Sequence, residues 1–156
     1  MDSGINEGEI MMEQVKPDYQ DFPLKSYDKI RYRDTDRQGH VNNALFSTFL
    51  ETGRTEFLYA KEPLHDGNAS FVIANLKLDL VSEIQWPGTV EIGTAITRIG
   101  NSSFSLFQGL FQNGNLAGTA ETVIVQMDEN TRKSQPLSAE TSEKLAHYLV
   151  DLKKEN

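Results

Sequence analysis

The stretch VNNALFSTFLETGRTEFLY, Val41 to Tyr59, decides the fold. It contains no proline, and Leu45, Phe46, Phe49, Leu50, Gly53 and Phe57 recur at spacings of three and four, which puts them on one broad helical face. Asn42 and Asn43 stand where an N-cap is expected, because an amide oxygen can accept from an otherwise unpaired first-turn N–H. Pro63, Asp66, Gly67 and Asn68 end the helical pattern.

Working outward, Leu24 to Arg33 alternates imperfectly, with Leu24, Ser26, Asp28, Ile30 and Tyr32 on one parity, and predicts a strand. After the helix, Phe71 to Ile84 is β-branched and aliphatic, with Leu76, Leu78 and Leu80 alternating against Lys77 and Asp79, as in a strand with one wet face. Trp86-Pro87-Gly88 breaks it, and Thr89–Ile99, Ser103–Phe111 and Leu116–Asp128 follow, separated by Gly100-Asn101 and Asn113-Gly114. An Asn-Gly pair between strands is a strong short-hairpin signal. Ser138 to Lys154 predicts a terminal helix with Leu145, Tyr148, Leu149 and Leu152 on one face. The order is strand, long helix, four-strand meander and terminal helix, an α+β chain with an antiparallel sheet. One long helix covers only part of such a sheet, so the remaining edge and apolar surface predict a homo-oligomer.

At 156 residues the chain has the size of one domain, and its net charge of −8 disfavours general nucleic-acid binding. No cysteine is present, which excludes disulfides, thiolate metal sites and a cysteine nucleophile. Only His40, His65 and His147 supply imidazoles, so no metal is expected, and no run of eighteen apolar residues predicts a membrane span. Residues 1–20 are acidic and interspersed with glycine and proline, and are expected to be a disordered or loosely docked lead-in to a single domain over 21–156. Neither a secretory nor a transit pattern is visible at the start, so a cytoplasmic location is expected.

The chemistry concentrates in Asp34-Thr35-Asp36-Arg37-Gln38-Gly39-His40-Val41-Asn42-Asn43, where acids, an imidazole and amides converge on a helix entrance. A helix N-terminus offers free N–H groups and a partial positive charge, able to stabilise the oxyanion formed when an acyl carbonyl is attacked. A carboxylate beside that carbonyl, acting as nucleophile or activating water, completes a hydrolase, and Asp36 lies in the loop feeding the helix. An Asp before a helix is also a common turn former, and His40 can equally tie the loop to the helix. No Gly-x-Ser-x-Gly elbow, dinucleotide fingerprint or Walker loop is present, so no nucleotide cofactor is expected.

Arg33-x-x-Asp36 followed by Gly39-His40-Val41-Asn42-Asn43 and Glu51-x-x-Arg54 resembles the hot-dog-fold acyl thioesterases, in the 4-hydroxybenzoyl-CoA thioesterase-like and acyl-carrier-protein thioesterase branches. The resemblance covers about Leu24 to Asp128. It implies a sheet wrapped around the long central helix, a homodimer or homotetramer with sites at the dimer interface, and hydrolysis of an acyl-CoA or acyl-ACP thioester. It places Asp36 as nucleophile or general base and the Asn43 backbone N–H as the carbonyl-polarising donor. Gln38 and His40 fall on an amide and a histidine of the carrier-protein branch, Gln38 replacing the usual Asn, and Phe46 stands where Tyr is common. Glu51, eight residues beyond Asn43, matches a helical glutamate of another hot-dog subgroup, although the residues alone favour its pairing with Arg54 at i, i+3. Glu83 faintly resembles a further acid of the carrier-protein branch and otherwise reads as a solvated strand end. Arg98 and Arg132-Lys133 are candidate contacts for coenzyme A phosphates or plain surface cations. The alternatives are an acyl-thioester hydratase or dehydratase and a non-hydrolytic acyl-CoA-binding module.

Overall fold

A computed structural model describes residues 16–151. Most of the acidic lead-in therefore lies outside the described residues. The strands are β1 (Leu24–Lys29), β2 (Ala69–Leu80), β3 (Thr89–Ile99), β4 (Ser103–Gln112) and β5 (Asn115–Asp128), and the helices are α1 (Ala44–Leu58) and α2 (Ala139–Ala146). All five strands form one antiparallel sheet in the order β1-β3-β4-β5-β2. The chain is α+β, with the sheet wrapped around α1 in the hot-dog arrangement.

The turn chemistry places the central hairpin where it was expected. Asn113 and Gly114 both take positive φ, 52° and 81°, and Gln112 pairs with Asn115 across them. The expected four-strand meander, however, is a three-strand one. β2 does not pair with β3 but lies at the opposite edge, along β5, with Leu78 opposite Ala120 and Leu80 opposite Gly118. It also ends at Leu80, short of Ile84, because residues 81–88 leave the sheet as a crossover. That crossover is too long and irregular for a hairpin, and its hydrogen bonds are divided chiefly between the start of β5, through the Val81 and Ser82 N–H groups to Ala117 O, and the loop before α1, through Gly39 and Val41.

Of the apolar face its spacing predicts, Phe46, Phe49, Leu50 and Gly53 of α1 are buried, Leu45 and Phe57 are half-buried at its margin, and Leu58, outside the predicted set, is buried beside them. Phe46, Phe49 and Leu50 pack with Ile30, Val41, Ile84, Val90 and Ile92, while Leu58 joins Phe71, Phe104, Ile124 and Leu145 at the far end. Gly53 is required by close approach: a β-carbon there would lie 2.6 Å from Ile92 Cγ2 and 3.0 Å from Gln108 Nε2. The latter amide, fully buried, donates to the Leu50 carbonyl at 3.1 Å and to Thr94 Oγ1 at 3.0 Å, pinning the helix to the sheet. On the outer face of the sheet, Phe22 stacks with Phe107 and meets Phe111 edge-on, and Tyr19 also packs against Phe111.

The terminal helix is shorter than its pattern suggests. Ser138 caps α2 by accepting from the Thr141 N–H at 3.1 Å, and the helix stops at Ala146. Tyr148 and Val150 instead bracket Ile96 of β3, whose N–H donates to Tyr148 O and whose carbonyl accepts from Val150 N–H. This fills the edge of β3 that β1, paired only as far as Thr94, leaves open. Leu152, assigned to the helical face, lies outside the described residues. Among the described residues no helix is long and apolar enough to cross a membrane.

Candidate active site

The loop before α1 is fixed by its own hydrogen bonds. Asp34 is buried, and its Oδ2 accepts from the Arg31 N–H at 2.8 Å while its carbonyl accepts from the Asn42 N–H at 2.9 Å. Thr35 and Val41 pair across a tight turn in which the Asp36 N–H donates to His40 O at 2.8 Å. Inside it, Asp36 Oδ1 accepts from the N–H groups of Gln38 at 2.8 Å and His40 at 3.2 Å. The reversal needs a left-handed residue, and Gly39 supplies φ of +81° at no steric cost. The side chain of Asp36 is thus both a turn former and oriented by its turn, with Oδ2 making no hydrogen bond among the described residues.

The crossover of residues 81–88 forms the second wall. The Val41 N–H donates to Ile84 O at 2.7 Å, the Trp86 N–H donates to Gly39 O at 3.2 Å, and His40 bridges to Gln85. Gln112 holds the crossover from the sheet side, accepting from the Gln85 N–H at 2.9 Å and donating to its carbonyl at 2.7 Å. Between loop and crossover lies a crevice of about 480 Å³, lined by Asp36, Gln38, His40, Val41, Asn42, Asn43 and residues 80–83.

At the floor of this crevice α1 begins. Asn42 is the capping side chain, its Oδ1 accepting from the Ala44 N–H at 3.0 Å, whereas Asn43 already has helical φ and ψ and its side chain caps nothing. Leu45 and Phe46 donate to the Asn42 and Asn43 carbonyls. The first-turn donor left without an acceptor among the described residues is the Asn43 N–H. A free donor at the positive end of a fifteen-residue helix is suited to a developing negative charge.

His40 Nε2 lies 3.1 Å from Glu83 Oε2, so Glu83 is not merely a solvated strand end. Glu51 behaves differently from the expected site residues: it is exposed on α1 and does not line this crevice. Nor does it pair with Arg54, since the ion pairs among the described residues are His40–Glu83, Arg132–Glu129 and Lys144–Glu140. Arg54 lies on the buried face of the helix, where burial lowers its pKa and the Glu51 charge opposes that shift, so the two side chains point into different media. Phe46 is core, 1% exposed, and does not line this crevice. Of the remaining wall residues only Glu83 carries a sequence signal, its faint resemblance to a further acid; Leu80, Val81 and Ser82 carry no motif, because the pattern assigns residues up to Ile84 to a continuous strand, and neither does Gln112.

Comparison with known proteins agrees with this architecture. A family profile described as the thioesterase-like superfamily matches residues 30–145. The acyl-CoA thioester hydrolase YbgC of Escherichia coli O6:H1 is 27% identical over 121 residues, covering 74% of this chain and 87% of that protein. The acyl-CoA thioesterase YbgC of Helicobacter pylori is 30% identical over 91 residues, covering 56% and 68%. Among solved structures, a Thermus thermophilus thioesterase complexed with coenzyme A and zinc superposes with a TM-score of 0.72 at 27% identity, covering 88% of this chain and 98% of that one. A predicted thioesterase from Bacillus stearothermophilus gives 0.74 at 26%, covering 81% and 96%. With the profile spanning well over half its length, and the hot-dog sheet and helix in place, the chain belongs to the thioesterase-like superfamily.

Proposed function

We propose that this thioester hydrolase acts on an acyl-CoA, with Asp36 driving attack on the acyl carbonyl and the Asn43 N–H holding the carbonyl oxygen. The observation that carries the reading is the unused Asn43 N–H at the start of α1, in the same crevice as a carboxylate with one uncommitted oxygen. The choice of coenzyme A over a carrier protein is supported by the acyl-CoA activity named for the YbgC relatives and by the coenzyme A held by the Thermus thermophilus structure.

In this scheme the thioester oxygen sits on the Asn43 N–H. Because that donor is fixed by the helix, no reorganisation is needed as negative charge develops. Asp36 is held at Oδ1 by the Gln38 and His40 N–H groups, and Oδ2 takes the proton of a water that adds to the carbonyl carbon, or itself adds there first. The new C–O bond forms, the C–S bond breaks, and the thiolate leaves; where Asp36 is the nucleophile, water then cleaves the resulting acyl-Asp36 anhydride, releasing the acid and restoring the carboxylate. His40, oriented by Glu83, stands in the crevice to pass a proton to the departing sulfur. Gln38 supplies a further amide to the same space.

A second copy of the chain completes the site in this reading. β2 has a free edge, and Ile73, Leu76, Leu80 and Val81 are 48%, 39%, 50% and 51% exposed, too much apolar surface for an edge strand facing water. Leu80 and Val81 also line the crevice, so a copy packed on this edge would shield the reacting carbonyl from solvent. The test is thiol release from acyl-CoAs of short, medium, long and aromatic acyl groups. Turnover with free thiol supports the proposal. Loss of enoyl absorbance without thiol would make the protein a hydratase, and saturable binding without turnover a binding module.

A further inference from the structure

Residues 29–37 carry Lys29, Arg31, Arg33 and Arg37 against Asp34 and Asp36, a local excess of positive charge in a chain of net charge −8. Of the two acids, Asp34 is buried and Asp36 belongs to the crevice. Arg31, Arg33 and Arg37 are exposed, and none forms an ion pair among the described residues. Of the other candidate cations, Arg98 donates to Ser105 Oγ and Ser103 Oγ, and Arg132 pairs with Glu129 at 3.1 Å, while Lys133 stands apart from any exposed aromatic pair.

Between Arg31 and Arg33 stands Tyr32, 73% exposed, whose ring meets the 42% exposed indole of Trp86 edge-on at 5.2 Å. Two large rings held against each other in water form an apolar platform, and the exposed Arg31 and Arg33 are the chain neighbours of Tyr32 on either side. The platform lies outside the crevice lining but is tied to the loop that forms it. The Trp86 N–H is bonded to Gly39 O in the turn that carries Asp36, Gln38 and His40, and Tyr32 O accepts from both the Thr35 N–H and its hydroxyl.

We propose that Tyr32 and Trp86, with Arg31, Arg33 and Arg37, form the seat of the 3′-phosphoadenosine diphosphate end of coenzyme A, the adenine on the rings and the phosphates on the guanidinium groups. Adenine offers a π-face, and each phosphate offers pairs of acceptor oxygens that the planar guanidinium of arginine matches in a bidentate manner. In an acidic protein, a local cationic surface at the mouth of the site also gathers a polyanionic substrate. An acidic carrier protein would answer the charge but not the aromatic pair. This inference rests on the acyl-CoA reading, and the experiment separates the two.

Trp86 is the only tryptophan, so its fluorescence reports directly on the platform. Titration with adenosine 3′,5′-bisphosphate is expected to give saturable quenching that adenosine alone reproduces only weakly, and the Arg31→Ala/Arg33→Ala double variant is expected to weaken it tenfold or more. In parallel, kcat/KM is measured on an acyl-CoA, the matching acyl-pantetheine and the matching acyl-carrier protein. The double variant is expected to lose tenfold or more on acyl-CoA while staying within twofold on acyl-pantetheine, which lacks the nucleotide. Equal losses on both, no loss on either, or a loss confined to the carrier-protein substrate would overturn the assignment. Failure of the wild type to hydrolyse any of the three would refute the hydrolytic reading, and the bisphosphate titration would then decide the platform alone. Tyr32→Ala, which removes no residue of the crevice lining, provides a second variant with the same expected pattern should the double variant fold poorly.

Discussion

Asp66 offers a quantitative test of how the C-terminal helix is held. Its Oδ1 accepts from Ser138 Oγ at 2.6 Å and Thr141 Oγ1 at 2.8 Å, and its Oδ2 accepts from Gln126 Nε2 at 2.9 Å and the Ser138 N–H at 2.8 Å. Burial alone would raise the pKa of this carboxyl, but the hydrogen bonds from Ser138, Gln126 and Thr141 more than offset it and bring the group from 3.8 to about 2. A folded-state pKa below the unfolded one means stability that is present above about pH 4 and is lost as pH falls toward 2. At 1.36 kcal/mol per pKa unit the charged form contributes about 2 kcal/mol at neutral pH. Asp66→Asn should therefore lose about 2 kcal/mol at pH 7, a fall in Tm of roughly 4–8 °C for a domain of this size. Urea unfolding of both proteins from pH 7 down to pH 2 should show the gap holding to about pH 5 and closing below pH 4. A gap that stays constant through this range, or that is below about 0.5 kcal/mol at pH 7, would refute the linkage.

Three further outcomes follow from the packing and the site. Gly53→Ala forces a methyl to within 2.6 Å of Ile92 Cγ2 and against the Gln108 amide, and should cost about 1–3 kcal/mol in denaturant unfolding; an unchanged midpoint would show that α1 can lift from the sheet freely. Glu83→Gln weakens the hold on His40, a hydrogen bond worth about 1 kcal/mol, so kcat should fall about fivefold with KM unchanged; a change confined to KM would make Glu83 a substrate contact instead. Ile73→Lys places a charge on the free edge of β2 and should reduce the particle to a monomer in sedimentation velocity, with thioesterase activity lost alongside; an unchanged assembly would move the interface elsewhere.

Much of the fold was legible because local rules and tertiary placement agree. The three- and four-residue spacing of Phe46, Phe49, Leu50 and Gly53 predicts the buried face of α1, and Asn113-Gly114 predicts the hairpin with both residues at positive φ. What failed was non-local. Alternation marks β2 as a strand but cannot say that it pairs with β5 at the far edge, because that choice is made by where the eight residues from Val81 to Gly88 run. The same crossover supplies half of the crevice, so the loop residues of the site were visible as a motif while Leu80, Val81, Ser82 and the His40–Glu83 contact were not. Glu51 and Arg54 show the limit of spacing rules: an i, i+3 pair requires both side chains on the wet face, and Arg54 lies on the buried one.

The central claim is that the Asp36 carboxylate and the Asn43 N–H act together on one carbonyl. Its most direct test is thiol release from the preferred acyl-CoA by wild type, Asp36→Asn and Glu51→Gln, each first shown to share the wild-type fold and assembly. Asp36→Asn preserves the turn by keeping an acceptor oxygen for the Gln38 and His40 N–H groups, so its loss should be chemical, about 10²–10⁴-fold in kcat, with Glu51→Gln close to wild type. Full activity in Asp36→Asn, or an inactive Glu51→Gln beside an active Asp36→Asn, would contradict the assignment and move the chemistry to the helix.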